Sequence, residues 1–110
     1  MKISVVTPAG ARARSANRTT ADRWTRFLRQ LGHEVLVEEA WSGEAWSGER
    51  TDLMIALHTR RSHPSISRYA AGHPNHPLVV VLTGTDLYRD IRFDWNAQDS
   101  LRLATQVVVL

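Results

Sequence analysis

KISVVTPAGARARSANRTTADRWTRFLRQLGHEVLVE, residues 2–38, holds the pattern on which the fold rests. Lys2–Thr7 is short, continuous and β-branched, as expected of a strand buried on both faces. Arg18–Leu31 reads as a helix: Trp24, Phe27, Leu28 and Leu31 fall at i, i+3, i+4 and i+7 and form one apolar stripe, with Trp24 read as core. Asp22 and Arg26 are spaced as an i,i+4 ion pair on the other face. Gly32 is the expected C-terminal stop of that helix. His33–Glu38 then predicts a second strand with Val35 and Val37 inward.

The same alternation continues outward from this unit. Pro8–Ala16 reads as a loop, and Asp52–His58, with its run Leu53-Met54-Ile55-Ala56-Leu57, as a third strand. Ser65–Ala71 after Pro64 predicts a short helix, Pro77–Thr83 a fourth strand, Asp99–Thr105 another short helix, and Gln106–Leu110 a fifth strand. Strands alternating with helices predict the α/β class: a Rossmann-like parallel β-sheet of about five strands flanked by helices. The expected strand order is 3-2-1-4-5. Ligands of such sheets bind beyond the carboxyl ends of the strands, at the point where the order reverses, here expected between the first and fourth strands. That rule directs attention to the loops after Thr7, His58 and Thr83. The tandem Trp41-Ser42-Gly43-Glu44-Ala45 and Trp46-Ser47-Gly48-Glu49-Arg50 is too short for a repeat architecture and reads as a lengthened surface loop.

Composition narrows the function classes. The 110 residues suffice for one domain, and 43% hydrophobic content suffices for a single core. The absence of cysteine rules out a disulfide framework and fits a reducing compartment. The apolar run Ile3–Val6 is too short for a secretory signal, and Leu78–Leu82 is too short to span a bilayer, so a cytoplasmic location is expected, away from membrane. The formal net charge is +3, and Lys2 is the only lysine beside many arginines, whose planar forks suit phosphate and carboxylate. A dense basic face or a nucleic-acid reading motif is missing, so no nucleic-acid partner is expected. G-x-G-x-x-G and G-x-x-x-x-G-K-[ST] are both absent, against a dehydrogenase or a P-loop kinase. No Ser-His-Asp or Cys-His arrangement stands at a recognisable spacing. A receiver domain would need acidic residues after its first strand and an aspartate ending its third, where this chain has Thr7-Pro8 and His58.

Three segments carry candidate chemistry. The first is the loop Pro8–Asn17 with the helix start Asn17-Arg18-Thr19-Thr20. Asn17 or Ser15 can cap the helix, and Arg12, Arg14 and Arg18 add charge where free amides favour an anion. The alternative is an ordinary cap with solvated arginines. The second is His58-Thr59-Arg60-Arg61-Ser62-His63, where His58 can bind phosphate or move a proton and Arg60 can clamp an anion. Arg61 and His63 read instead as solvated loop residues. The third is Thr83-Gly84-Thr85-Asp86, in which Gly84 permits close backbone approach and Thr83, Thr85 and Asp86 offer polar groups. The alternative there is a turn followed by a helix cap. His73 and His76 lie among prolines without a third ligand, so no metal is expected. Trp95 reads as a loop residue that covers a helix or meets another domain.

Taken together, the segments Lys2–Pro8, Ser15–Trp24, Leu31-Gly32-His33, Ala56–Ser62 and Leu82–Tyr88 resemble the start of the selenosugar synthases of selenoneine biosynthesis, which are GT-B glycosyltransferases. The resemblance covers essentially the whole chain. It implies the acceptor-side half of a GT-B fold in an enzyme that joins selenophosphate to the anomeric carbon of a UDP-sugar, UDP-N-acetylglucosamine, and releases UDP. No further cofactor is implied. His58 is then expected to be catalytic, and Asn17, Arg18, Thr20, Arg60, Thr83, Gly84, Thr85 and Asp86 to bind substrate. The family continues into a second, nucleotide-sugar domain, so residues 1–110 alone are expected to be inactive. The alternatives are a GT-B domain for another small anionic or sugar acceptor, and a non-catalytic anion-binding module.

Overall fold

The computed structural model describes residues 1–8, 16–41, 51–82 and 90–109, with the backbone alone for Ala16 and Asn17. Five strands, β1 (Lys2–Val6), β2 (Glu34–Glu38), β3 (Leu53–Leu57), β4 (Leu78–Leu82) and β5 (Gln106–Val109), form one sheet in which every pairing is parallel. Among the described residues four helical segments accompany them: α1 (Ala16–Gln30), α2 (His63–Gly72), the single turn α3 (Ile91–Phe93) and α4 (Trp95–Leu103). The α/β class and the parallel sheet follow the sequence reading. No described helix is long and apolar enough to cross a membrane.

The strand order differs from the expected one. It is β2-β1-β3-β4-β5, so β3 lies beside β1 rather than outside β2. The reversal point therefore falls between β1 and β3, and not between the first and fourth strands. The cause lies in the two sequences. Leu53–Leu57 is apolar on both faces and its last four residues are buried, which suits a central strand. Glu34–Glu38 has a carboxylate at each end and is only partly buried, which suits an edge. Asp52 fixes the placement: its amide donates to the Lys2 carbonyl at 2.8 Å, and its carboxylate accepts from the Lys2 amide at 2.8 Å.

Helix α1 ends as expected at Gly32, whose φ of +93° lies in the left-handed region that glycine adopts without a Cβ clash. The Gly32 amide donates to the Arg29 carbonyl and the His33 amide to that of Leu28, which closes the helix end. The stripe on α1 is only half used. Ala21 and Thr25 are buried, Trp24 and Leu28 pack partly against Ile3, Val5, Ile55 and Leu57, and Phe27 and Leu31 remain exposed. Asp22 pairs with Arg18, one turn back, at 3.2 Å instead of with Arg26. That carboxylate is taken by the guanidinium on its N-terminal side.

The opposite face of the sheet carries α2 and α4. Val6, Met54, Ala56 and Val80 meet Ile66 and Tyr69 there, with Leu103 at the margin. Trp41 belongs to this core and not to a surface loop: it is 6% exposed, its ring stands edge-on to Tyr69 at 5.4 Å, and its Nε1 donates to Thr51 Oγ1 at 3.3 Å. Residues 42–50, the rest of the tandem segment, lie outside the described residues. Helix α4 begins at Trp95 and not at Asp99, because the Asp94 carboxylate accepts from the Ala97 amide at 2.9 Å and caps the helix earlier. Trp95 is thus the first residue of α4. It is largely exposed and stands edge-on to His63 at 5.8 Å.

Candidate functional site

The carboxyl ends of all five strands share one edge of the sheet. At the reversal point, Thr7 follows β1 and His58 follows β3. Thr7 is fully buried, and its Oγ1 has no hydrogen-bond partner among the described residues. A buried hydroxyl without a partner costs free energy, and at a ligand edge it is a donor held in reserve.

His58 has a φ of +75°, the one non-glycine residue with positive φ among the described residues. This region is costly for a residue with a Cβ, and such outliers cluster at functional sites. The turn holds it there. The His58 amide donates to the Val81 carbonyl at 3.3 Å, and its carbonyl accepts from the Ser62 amide at 3.0 Å. Ser62 Oγ donates to the Leu57 carbonyl, and Ser100 Oγ donates to the Thr59 carbonyl at 2.7 Å. The Arg61 amide donates to His58 Nδ1 at 3.2 Å. Because Nδ1 accepts, the neutral imidazole carries its proton on Nε2.

That Nε2 faces Asp90, 3.8 Å from its Oδ2. Arg60 Nε approaches the same Oδ2 at 3.3 Å. Asp90 is 5% exposed, whereas the Arg60 side chain is 40% exposed and reaches solvent. Asp90 precedes α3, and its carbonyl accepts from the Asp94 amide at 2.8 Å. Beside this group lies a depression of about 430 Å³ lined by Arg60, Asp90, Phe93 and Asp94. Phe93 is 82% exposed and forms an aromatic wall there.

A buried carboxylate between an imidazole and a guanidinium orients both and keeps local charge near balance. Such a group can receive a compact anion on the outward face of Arg60 and exchange a proton through His58. Glu38 adds a carboxyl at the same edge, at the end of β2. Burial raises its pKa above the usual glutamate value, and its Oε2 is buried without a partner among the described residues.

The sequence-predicted residues divide into three groups. His58 and Arg60 come together on Asp90. Arg18 and Thr20 lie on the first turns of α1, where Arg18 lines a different hollow, beside β2. Helix α1 starts at Ala16, so Asn17 falls inside its first turn rather than at the cap, and Ser15 lies outside the described residues. Thr83, Gly84, Thr85 and Asp86 also lie outside them. His63, read as a solvated loop residue, is the first residue of α2, and its Nε2 meets Asp99 Oδ2 at 2.9 Å. His73 stacks on Tyr69 at 4.8 Å, and His76 Nδ1 donates to the Thr51 carbonyl at 2.9 Å. Among the described residues no group of three or more histidines and carboxylates is placed to hold a metal. Sequence reasoning missed Asp90 and Phe93. The segment Asp90-Ile91-Arg92-Phe93 has no periodicity of its own, and only the fold brings it to β3. No family model matches the chain, and no curated protein matches it.

Proposed function

We propose that this chain is the acceptor-side domain of a UDP-sugar-dependent glycosyltransferase, one that joins selenophosphate to the anomeric carbon of UDP-N-acetylglucosamine. The observation that carries the reading is the convergence of His58 and Arg60 on buried Asp90 at the reversal point of a parallel sheet. The resemblance of the first-, third- and fourth-strand segments to the selenosugar synthases supplies the substrate class. In this reading Arg60 binds the phosphoryl oxygens of selenophosphate. His58 donates through Nε2–H to the same anion or to the departing diphosphate. Selenium attacks the anomeric carbon with its own lone pair, the carbon–oxygen bond to UDP breaks, and UDP leaves with that electron pair. Selenium needs no strong base, which fits a site whose carboxylate is engaged by two cationic or hydrogen-donating groups. Asn17, Arg18, Thr20 and Thr83-Gly84-Thr85-Asp86 complete the acceptor side in the proposal. The nucleotide sugar is held by a second domain, as the resemblance implies.

Calorimetric titration with thiophosphate, a stable substitute for selenophosphate, tests the anion site. Saturable binding that Arg60→Ala weakens is the expected result. A folded sample that binds no thiophosphate, or binds it equally well as Arg60→Ala, sinks the reading. Release of UDP on mixing UDP-N-acetylglucosamine and selenophosphate, with the nucleotide-sugar domain supplied alongside, separates a transferase from a domain that only binds anions.

A further inference from the structure

Strand β2 is an edge, and its backbone alternates. The Glu34 amide donates to the Met1 carbonyl at 3.0 Å and the Glu38 carbonyl accepts from the Thr7 amide at 2.9 Å, so Glu34, Leu36 and Glu38 turn their peptide groups to β1. Val35 and Val37 therefore turn theirs outward. Arg29 covers half of that edge: its Nη2 donates to the Val35 carbonyl at 2.8 Å. The peptide groups of Val37 are left facing a groove of about 740 Å³ between β2 and α1. An open strand edge is a template for a further strand.

The shape and charge of the groove narrow the occupant. Its α1 wall runs from Arg18 to Gln30. At 1.5 Å per residue that wall is about 18 Å long, the length of about five residues of extended chain. Arg18, Arg26 and Arg29 line it, against one carboxylate among the described residues, Asp22, which Arg18 already holds at 3.2 Å. Arg26 has no ion pair among the described residues. Midway along the wall, Thr25 is 4% exposed and its Oγ1 has no hydrogen-bond partner among the described residues.

We propose that this groove takes an extended acidic segment of a partner protein, added as a strand beside β2. The amide and carbonyl of Val37 pair with the incoming backbone, Thr25 Oγ1 binds its central residue, and Arg26 holds a carboxylate. This is recognition by strand addition, with main-chain bonds supplying affinity and the arginines supplying selectivity. The groove lies on the lateral edge of the sheet, and Val37, Thr25 and Arg26, on which the proposal rests, are not among the residues proposed for the anion site, whereas Arg18 borders both.

The test is a nitrogen-15 NMR titration of the full chain with a capped eight-residue peptide of alternating valine and glutamate. The expected result is shift changes centred on Val37 and Thr25, with amide exchange at Val37 slowed roughly tenfold or more. Arg26→Glu weakens binding at least roughly tenfold, and so does raised salt. The same peptide N-methylated at alternate residues cannot donate to the edge and does not bind, which tests strand addition without altering the protein. Equal binding of a valine–lysine peptide, shifts confined to residues around His58, or undiminished binding of the N-methylated peptide would each overturn the proposal.

Discussion

Among the described residues two groups join histidine, aspartate and arginine, and they are built differently. In one, His63 at the start of α2 meets Asp99 of α4 at 2.9 Å, and Arg102 Nε and Nη2 bind the other carboxylate oxygen at 3.0 and 2.6 Å. In the other, His58 and Arg60 share one oxygen of Asp90 at 3.8 and 3.3 Å. The first group uses both carboxylate oxygens at the short distances of charge-assisted bonds and ties two helices together. The second is longer than that range, sits on strained backbone at the ligand edge, and opens on a depression. The same three residue types thus form a clamp in one place and, in the reading proposed above, a receptive site in the other. Geometry distinguishes them where composition does not.

The largest expected effect separates the two arginines. Arg60→Ala should weaken thiophosphate binding roughly 10- to 100-fold, the loss of a charge-assisted hydrogen bond of about 1.5–3 kcal/mol. Arg102→Ala should leave the affinity within about twofold, since it lies outside the depression. Calorimetry on both variants decides the matter, and equal losses would erase the distinction drawn between the groups.

Stability should divide the other way. Asp99→Asn removes the charge and leaves an acceptor oxygen for only one of His63 and Arg102, and about 2 kcal/mol of unfolding free energy should be lost in urea titration. Thiophosphate affinity should not move. The pH dependence carries a sign. Hydrogen bonds from His63 and Arg102 hold the Asp99 carboxyl below its ordinary value, with burial opposing them. A carboxylate whose pKa is lower in the folded state contributes its stability above the unfolded-state value and loses it as pH falls through the folded one. The gap between wild type and Asp99→Asn should therefore be full at neutral pH and close below about pH 4. A gap that widened on acidification would show that Asp99 does not act as the clamp's anion.

Much of this framework is legible in the sequence, and the parts that are not have specific causes. Continuous runs such as Leu53–Leu57 announce buried parallel strands, and Gly32 announces the end of α1. The strand order departs from the expected 3-2-1-4-5 because the second and third strands are not equivalent. The glutamates that bracket Val35-Leu36-Val37 mark an edge, and the unbroken run in β3 marks a centre. His58 and Arg60 are visible because they follow a strand at the edge where parallel α/β sheets generally bind ligands. Asp90 is not, because nothing local in its segment says which strand end it will meet. The two exposed residues of the α1 stripe, Phe27 and Leu31, show the limit of periodicity. It finds a helix, but how much of the stripe is covered depends on neighbours that the pattern does not contain.

The strained turn offers a smaller test of the comparison. At φ of +75° alanine pays the full steric cost of its Cβ, whereas asparagine is among the residues that tolerate this region. His58→Asn should therefore be about 1 kcal/mol more stable than His58→Ala by urea or thermal unfolding. At His63, in helical conformation, the order should reverse, because alanine is the better helix former. If asparagine and alanine ranked alike at both positions, the backbone at His58 would not be held by its surroundings in the way the receptive site requires.

The smallest effect concerns a carboxyl that belongs to neither group. Glu38 ends β2 with its Oε2 buried and unpartnered among the described residues, and burial pushes its pKa up. A carboxyl whose folded pKa lies above the unfolded value stabilises the fold when protonated and costs stability as pH rises through the unfolded value and then its own. Glu38→Gln removes that ionisation with little change of shape. It should raise the melting temperature at neutral pH, and the gain should fade below about pH 4, where both states of the wild type are protonated. Loss of stability at neutral pH would instead mean that the ionised carboxylate has a cation beside it. Glu38 would then have to be counted with Asp90 and Asp99 among the paired carboxylates, and the pairing of a buried acid would no longer mark either the clamp or the site.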